Sequence, residues 1–215
     1  MVKNEAGYNH QRNVVVLGEP VKLAKEDYEA VQDITNGRFA SLYEYEKFNG
    51  VYNERKIVIE NGRIIRLDLS EMRLVELHSS IGDVTNLEYL VLEQNRLQTL
   101  PESIGNLRNL KDLSATKNIL TQIPESIGNL RNLKKLFLGN NLLTSIPESI
   151  GNLTSIEYFC VDNNRLTNLP ESICNLNSPL LIANFQNNPF DEKNKRMLKN
   201  LNRKRQKEQM STFLF

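Results

Sequence analysis

The string PESIGNL stands at residues 101–107, 124–130 and 147–153, and PESICNL stands at 170–176. Successive copies are 23 residues apart. A fixed period of this length is the mark of a stacked-repeat architecture and governs every later reading of the chain. Working outward from these strings divides the sequence into units 64–86, 87–109, 110–132, 133–155 and 156–178, with a truncated unit beginning near Leu180 after one extra residue. Each unit reads L-x-x-L-x-L-x-x-N-x-L-x-x-L-P-x-x-I-x-x-L-x-x.

The spacing has a physical meaning. In the unit 133–155 the apolar positions are Leu133, Leu136, Leu138, Leu143, Ile146, Ile150 and Leu153. The alternation at Leu136 and Leu138 has the period of two expected of a strand. One unit cannot bury these side chains alone, but stacked units can, because each aliphatic column covers the next. Each buried Leu or Ile contributes roughly 1.5–3 kcal/mol. After the strand the chain must bend inside the core, which leaves backbone groups without ladder partners. The column Asn95, Asn118, Asn141, Asn164 and Asn188 carries side chains able both to donate and to accept there. The Pro that follows suits an irregular or 3₁₀ convex side, where no sheet hydrogen bond is required.

These residues resemble the leucine-rich repeat family in its 23-residue intracellular form, which occurs in Ras-pathway scaffolds, plant Ras-group proteins and many bacterial and archaeal proteins. The resemblance covers about residues 64–190. It implies an α/β solenoid: a curved repeat with a parallel concave sheet of about six strands, a 3₁₀ or irregular convex side, and caps at both ends. The first unit departs from the pattern, with Met72 where Asn is expected and His78 where Pro is expected. That suits a terminal repeat.

Both caps are expected from local signals. Asn61-Gly62 between two apolar runs predicts a hairpin whose first strand, 56–60, closes the sheet edge against the first repeat strand. Pro20 to Thr35 reads as a helix with Val21, Ala24, Tyr28, Val31 and Ile34 on its apolar stripe, and a second short helix is expected at about 39–48. A C-terminal helix is expected over 191–209, with Met197, Leu198 and Leu201 facing the open core. The organisation predicted is an N-terminal tail and helical cap at 1–55, the solenoid at 56–190 and a basic capping helix and tail at 191–215.

The 215 residues carry a net charge of +1, from 27 Lys and Arg against 26 Asp and Glu. This balance conceals a gradient. Residues 1–63 hold nine cations and ten anions, 64–190 hold ten and thirteen, and 191–215 hold eight and three. Nucleic-acid or anionic-surface binding would therefore rest on the C-terminal segment, which lacks interleaved aromatics and any reading motif. The composition, 40% hydrophobic and 25% charged, is that of a folded globular chain. No run of about 18 apolar residues is present, and the polar first dozen residues lack the apolar stretch of a signal peptide. A cytoplasmic location is the expectation.

Candidate chemistry is sparse. Val14-Val15-Val16-Leu17-Gly18 invites a phosphate-loop reading, but the Gly-Lys pair would have to stand at 23 and 24, where Leu23 and Ala24 are found. Cys160 falls on the concave side and Cys174 on the far side, too far apart to bridge. The only histidines, His10 and His78, are not placed to activate Cys160. His78 reads as a surface turn residue, and Glu102, Glu125, Glu148 and Glu171 as a solvated column. No catalytic residue, cofactor or metal is expected.

The positions that alternate with the core carry the candidate site. The third position of each strand runs Arg66, Tyr89, Asp112, Lys135, Tyr158, Ile182; the fifth runs Asp68, Val91, Ser114, Phe137, Cys160, Asn184; the seventh runs Ser70, Glu93, Thr116, Gly139, Asp162, Gln186. Tyr89, Val91, Asp112, Lys135, Phe137, Tyr158 and Cys160 are the predicted protein-binding residues, because aromatics ringed by charge make interface anchors. Lys111, Lys134 and Lys135 flank the middle. The function expected is a non-enzymatic interaction module for a peptide, loop or protein surface, and the family resemblance adds a small GTPase or phosphatase as a partner class. The alternatives are polyanion binding through the basic tail or a structural assembly role. The chain is expected to be a monomer or weakly self-associating, without membrane insertion.

Overall fold

The computed structural model describes residues 13–16, 19–35, 57–176, 182–207 and 213–214. Among them, two antiparallel strands, β1 (Asn13–Val16) and β2 (Glu19–Lys22), lead into helix α1 (Lys25–Thr35). An eight-stranded sheet follows: β3 (Ile57–Glu60), β4 (Arg63–Asp68), β5 (Tyr89–Val91), β6 (Asp112–Ser114), β7 (Lys135–Phe137), β8 (Tyr158–Cys160), β9 (Ile182–Asn184) and, beyond helix α2 (Glu192–Lys207), β10 (Phe213–Leu214). Strands β4 to β9 are parallel neighbours in chain order, β3 pairs antiparallel with β4, and β10 adds parallel to β9.

Each repeat returns from its strand through a 3₁₀ turn, at Ser79–Asp83, Glu102–Asn106, Glu125–Asn129, Glu148–Asn152 and Glu171–Asn175. In the last four, the Pro precedes the turn in extended conformation, so its missing N–H is needed by neither sheet nor turn. Between sheet and turns lies one continuous core. In it Leu87, Leu110, Leu133 and Ile156 form one sealed column, and Leu90, Leu113, Leu136 and Phe159 another. Phe159, Phe185 and Phe190 stack edge-on where the aliphatic columns run out.

The Asn column holds adjacent layers together. Asn118 donates from Nδ2 to the carbonyls of Ala115 and Thr116 in its own layer and of Leu92 in the preceding one, and its Oδ1 accepts from the Leu97 N–H. Asn95, Asn141, Asn164 and Asn188 repeat this pattern. The residue just before each Asn turns the chain with a positive φ: Gln94, Lys117, Asn140, Asn163 and Asn187 lie between 53° and 57°. A left-handed residue of this kind costs about 1–2 kcal/mol, which the four hydrogen bonds of each Asn offset.

The glycine of the repeat string has a steric cause. A Cβ on Gly128 would stand 2.5 Å from the Ser149 carbonyl oxygen and 2.7 Å from its Cβ, and Gly82, Gly105 and Gly151 meet the next layer in the same way. Cys174 occupies this position in the last PES turn, which has no successor, and it is exposed.

The N-terminal end corrects one expectation. Pro20 and Val21 lie in β2, not in a helix, and α1 begins only at Lys25. Val14, Val15, Val16 and Val21 are β-branched and pair as a ribbon, with Pro20 opposite Val15. Val14 to Val16 of the segment that suggested a phosphate loop are thus one side of that ribbon, and Leu17 and Gly18 lie outside the described residues. Helix α1 buries Ala30, Val31 and Ile34, but also Asp27, which accepts from the Ile64 N–H at 2.6 Å. The other Asp27 oxygen faces Arg63 Nη2 at 2.9 Å in an ionic contact. Burial pushes the Asp27 carboxyl above its ordinary range, against the opposing pull of the Ile64 N–H and Arg63. The Asn61-Gly62 turn has positive φ at both residues, as a two-residue hairpin requires. The short helix expected at about 39–48, together with His10, lies outside the described residues.

At the other end Asp191 caps α2 by accepting from the Asn194 N–H at 2.7 Å, which holds its carboxyl below the usual carboxylate range. Leu198 is buried and Met197 packs against the core. Asn194 extends the ladder by one rung, its Oδ1 accepting from the Leu169 N–H at 3.0 Å.

Candidate protein-binding face

The strands bring the candidate residues into rows. Arg66, Tyr89, Asp112, Lys135, Tyr158 and Ile182 are direct cross-strand partners, as are Asp68, Val91, Ser114, Phe137, Cys160 and Asn184. Residues between them, such as Leu90, Leu113, Leu136 and Phe159, are sealed in the core. The two rows therefore share the opposite, concave face, as the pleat demands.

Tyr89, Val91, Asp112, Lys135, Phe137, Tyr158 and Cys160 all lie on this face, each half-buried rather than fully open. Neighbouring side chains supply the cover. Lys135 Nζ is 3.1 Å from Asp112 Oδ2 and 5.9 Å from the Tyr158 ring centre, and the Arg66 guanidinium lies 5.9 Å from the Tyr89 ring centre. Phe137 sits between Ser114 and Cys160, with Lys135 two residues before it on the same strand. The apolar pair Tyr89/Val91 and the group Phe137/Tyr158/Cys160 are separated by the polar strand of Asp112 and Ser114, as the row assignment predicts.

The flanking lysines are not open charges. Lys111 pairs with Glu88 at 2.7 Å and Lys134 with Glu157 at 3.2 Å. The hydrogen bond to Glu88 raises the ammonium pKa of Lys111, and that to Asp112 raises the pKa of Lys135. Both stay protonated well beyond neutral pH.

Cys160 does not have the surroundings of a nucleophile. Burial pushes its thiol pKa up, and the Asp162 carboxylate pushes in the same direction. A thiol so placed remains protonated and weakly reactive. Cys160 and Cys174 form no disulfide. Among the described residues, no three His, Cys, Asp or Glu side chains converge to hold a metal ion.

His78 and the glutamate column are exposed turn residues, as expected, and both also make contacts that the sequence alone does not name. His78 caps the first 3₁₀ turn: its Nδ1 accepts from the Ser80 N–H at 3.3 Å, a role that Pro at this position cannot perform. The glutamate column is more than solvated, because Glu102 accepts from the Ser126 N–H and Glu148 from the Ser172 N–H of the next layer, each at 3.2 Å. The 23-residue period places Glu102 beside the following turn, so this contact was implicit in the repeat. Nothing in the sequence singled out Asp27 or Asn194, whose roles depend on which element packs over which.

Among the described residues no helix is long and apolar enough to cross a membrane. The family model for a leucine-rich repeat region matches residues 63–178, more than half of the chain. No curated protein matches it. Among solved structures, a leucine-rich repeat protein of Leptospira interrogans is 33% identical with a TM-score of 0.61. The match covers 66% of this chain but only 35% of the Leptospira protein. The leucine-rich repeat ectodomain of the Arabidopsis thaliana receptor kinase SOBIR1 is 26% identical with a TM-score of 0.62, covering 79% of this chain and 97% of its own. The Arabidopsis BIR2 ectodomain, at 23% identity and a TM-score of 0.62 over 78% of this chain and 95% of its own, shares the fold.

Proposed function

The chain belongs to the leucine-rich repeat family, and on that premise we propose that it is a non-enzymatic protein-interaction module that grips its partner on the concave sheet. The observation that carries this reading is the pair of apolar groups, Tyr89/Val91 and Phe137/Tyr158, held half-open in register across β5 to β8. Half-open aromatics braced by cations are pre-positioned, so little side-chain entropy is lost when a partner covers them.

The size of the face bounds the partner. Six strands about 4.8 Å apart, with about five residues of roughly 3.3 Å each, span roughly 450 Å². A standard interface takes roughly 800 Å² from each partner. The concave face alone therefore suits a peptide or a protruding loop, and a larger partner would have to spread onto the flanking turns. The resemblance to Ras-pathway scaffolds makes a small GTPase or phosphatase the first partner class to screen.

Affinity capture from native lysate with the wild type and with Phe137→Glu/Tyr158→Glu tests the proposal. The double variant is expected to lose the captured partner while keeping its circular dichroism spectrum. Equal recovery by both proteins, with folding intact, would remove the concave face from consideration.

A further inference from the structure

The two long margins of the concave sheet treat charge in opposite ways. On the margin formed by the second and third strand positions, each of the acids Glu88, Asp112 and Glu157 lies against a lysine, at 2.7, 3.1 and 3.2 Å. Toward the other margin, Asp68 of the fifth-position row and the acids Glu71, Glu93 and Asp162 of the seventh and eighth positions have no such cation among the described residues. Neutral donors hold them instead. Asp68 accepts from the Ser70 N–H and hydroxyl, and Glu71 from Gln94 Nε2 at 3.2 Å. Glu93 accepts from the Ser114 hydroxyl at 2.6 Å, and Asp162 Oδ2 from Asn163 Nδ2 at 2.6 Å.

A neutral donor orients a carboxylate without cancelling its charge. Both Glu93 and Asp162 are half-buried on the seventh-position row, beside the fifth-position row that contains Val91 and Phe137. Asp162 leans over Gly139: its Oδ1 stands 2.8 Å from where a Cβ on that glycine would be, which carries the carboxylate toward β7, the strand of Phe137. Lys117 is the one cation carried on this margin by the seventh and eighth positions of the described strands, and it is exposed. Arg73, Arg96 and Arg165, at the tenth position of their units, lie further out on the flank, and among the described residues none forms an ion pair with these acids.

We propose that the partner segment is cationic: an extended peptide or loop that sets Lys or Arg side chains on Glu93 and Asp162 and apolar side chains on Val91 and Phe137. The inference rests on the concave-face reading above and specifies the partner's chemistry. Glu93 and Asp162 sit on strands three apart, hence about 14 Å from each other. An extended chain advances about 3.3 Å per residue and returns to the same face every second residue. Basic residues four apart therefore match the two carboxylates, with the residue midway between them facing the sheet.

The test is selection of short random-sequence peptides displayed on phage against the full chain, followed by binding titrations of the selected peptides to three proteins. These are the wild type, Glu93→Gln/Asp162→Asn and Phe137→Glu/Tyr158→Glu. Selected peptides should be net cationic and apolar. Their affinity should fall about three- to tenfold with the amide pair at low salt, lose that difference as salt is raised, and vanish with the aromatic pair. Neutral or acidic winners, or no winners at all, overturn the proposal. So does binding that the amide pair leaves unchanged while the aromatic pair abolishes it, although that result keeps the concave face as the site. Binding indifferent to both pairs overturns this inference and the proposed function together.

Discussion

The layers between Leu87 and Leu176 are held largely by parts used again and again, whereas the layer formed by residues 64–86 shares their glycine, Gly82, but fills other places with parts used once. Inside, an Asn at a fixed position satisfies the bent backbone of two layers, a Pro opens the 3₁₀ turn, and a Gly lets the next Ser approach. In the first layer Met72 and His78 replace the Asn and the Pro. His78 caps its turn with the imidazole, and Arg63, just before the layer, links Thr85 within it to Asp27 and Glu26 of α1. The difference teaches that a repeated solution needs a repeated neighbour. Where the preceding layer is missing, its contacts must come from residues chosen for that place alone.

Breaking the interior part should have the largest effect. Asn141→Ala removes a buried side chain that serves four backbone groups in two layers. Orphaned buried groups of this kind should lower the unfolding free energy by about 3 kcal/mol. Asn188→Ala, at the half-buried last Asn of the repeat column, should cost about 1 kcal/mol. Urea denaturation of the two variants checks this, and equal losses would refute the distinction between interior and end.

The glycine column gives a smaller contrast. Gly128→Ala drives a methyl into Ser149 and should cost about 2 kcal/mol. Cys174→Ala, at the end of the same column, should change stability by less than about 0.5 kcal/mol. A matching loss at both sites by thermal melting would mean that the clash is not what selects glycine.

Smallest is the pH response of the first-layer latch. Asp27 has a folded-state pKa above its unfolded value, so the fold prefers its protonated form. Its favourable contribution is complete below about pH 4, the unfolded carboxylate value, and is lost as pH rises through the folded-state value. The stability of the wild type relative to Asp27→Asn should therefore decline as pH rises through that range. Urea titrations of both proteins at several pH values measure it, and a difference that grows with pH would reverse the assignment.

The parts visible in the sequence are those that recur. The L-x-L alternation, the Asn column and the Pro-Glu-Ser turn repeat at one spacing, so the rows from Arg66 to Ile182 and from Asp68 to Asn184 follow from counting. Of the parts that occur once, the Asn61-Gly62 hairpin and the C-terminal helix were legible from local signals, while others were misread or missed. Pro20 near the start of an apolar stripe looks like a helix start, and only its ribbon partner Val15 shows that it belongs to a strand. Asp27 looks like a solvated helix residue until β4 is packed over it. Phe213 and Leu214 gave no sign of which edge they join, and they pair with Ala183 and Asn184 of β9.

The candidate face divides along the same line. Its members and their order are a property of the period, since a strand alternates sides and a repeat advances by one strand. Whether each charge among them is cancelled is not, because pairing depends on distances of a few ångströms between side chains from different layers. From composition alone Lys135 and Glu93 are equally charged surface residues. The folded chain sets Lys135 against Asp112 and gives Glu93 only the Ser114 hydroxyl, so one margin of the sheet is neutralised and the other keeps its charge.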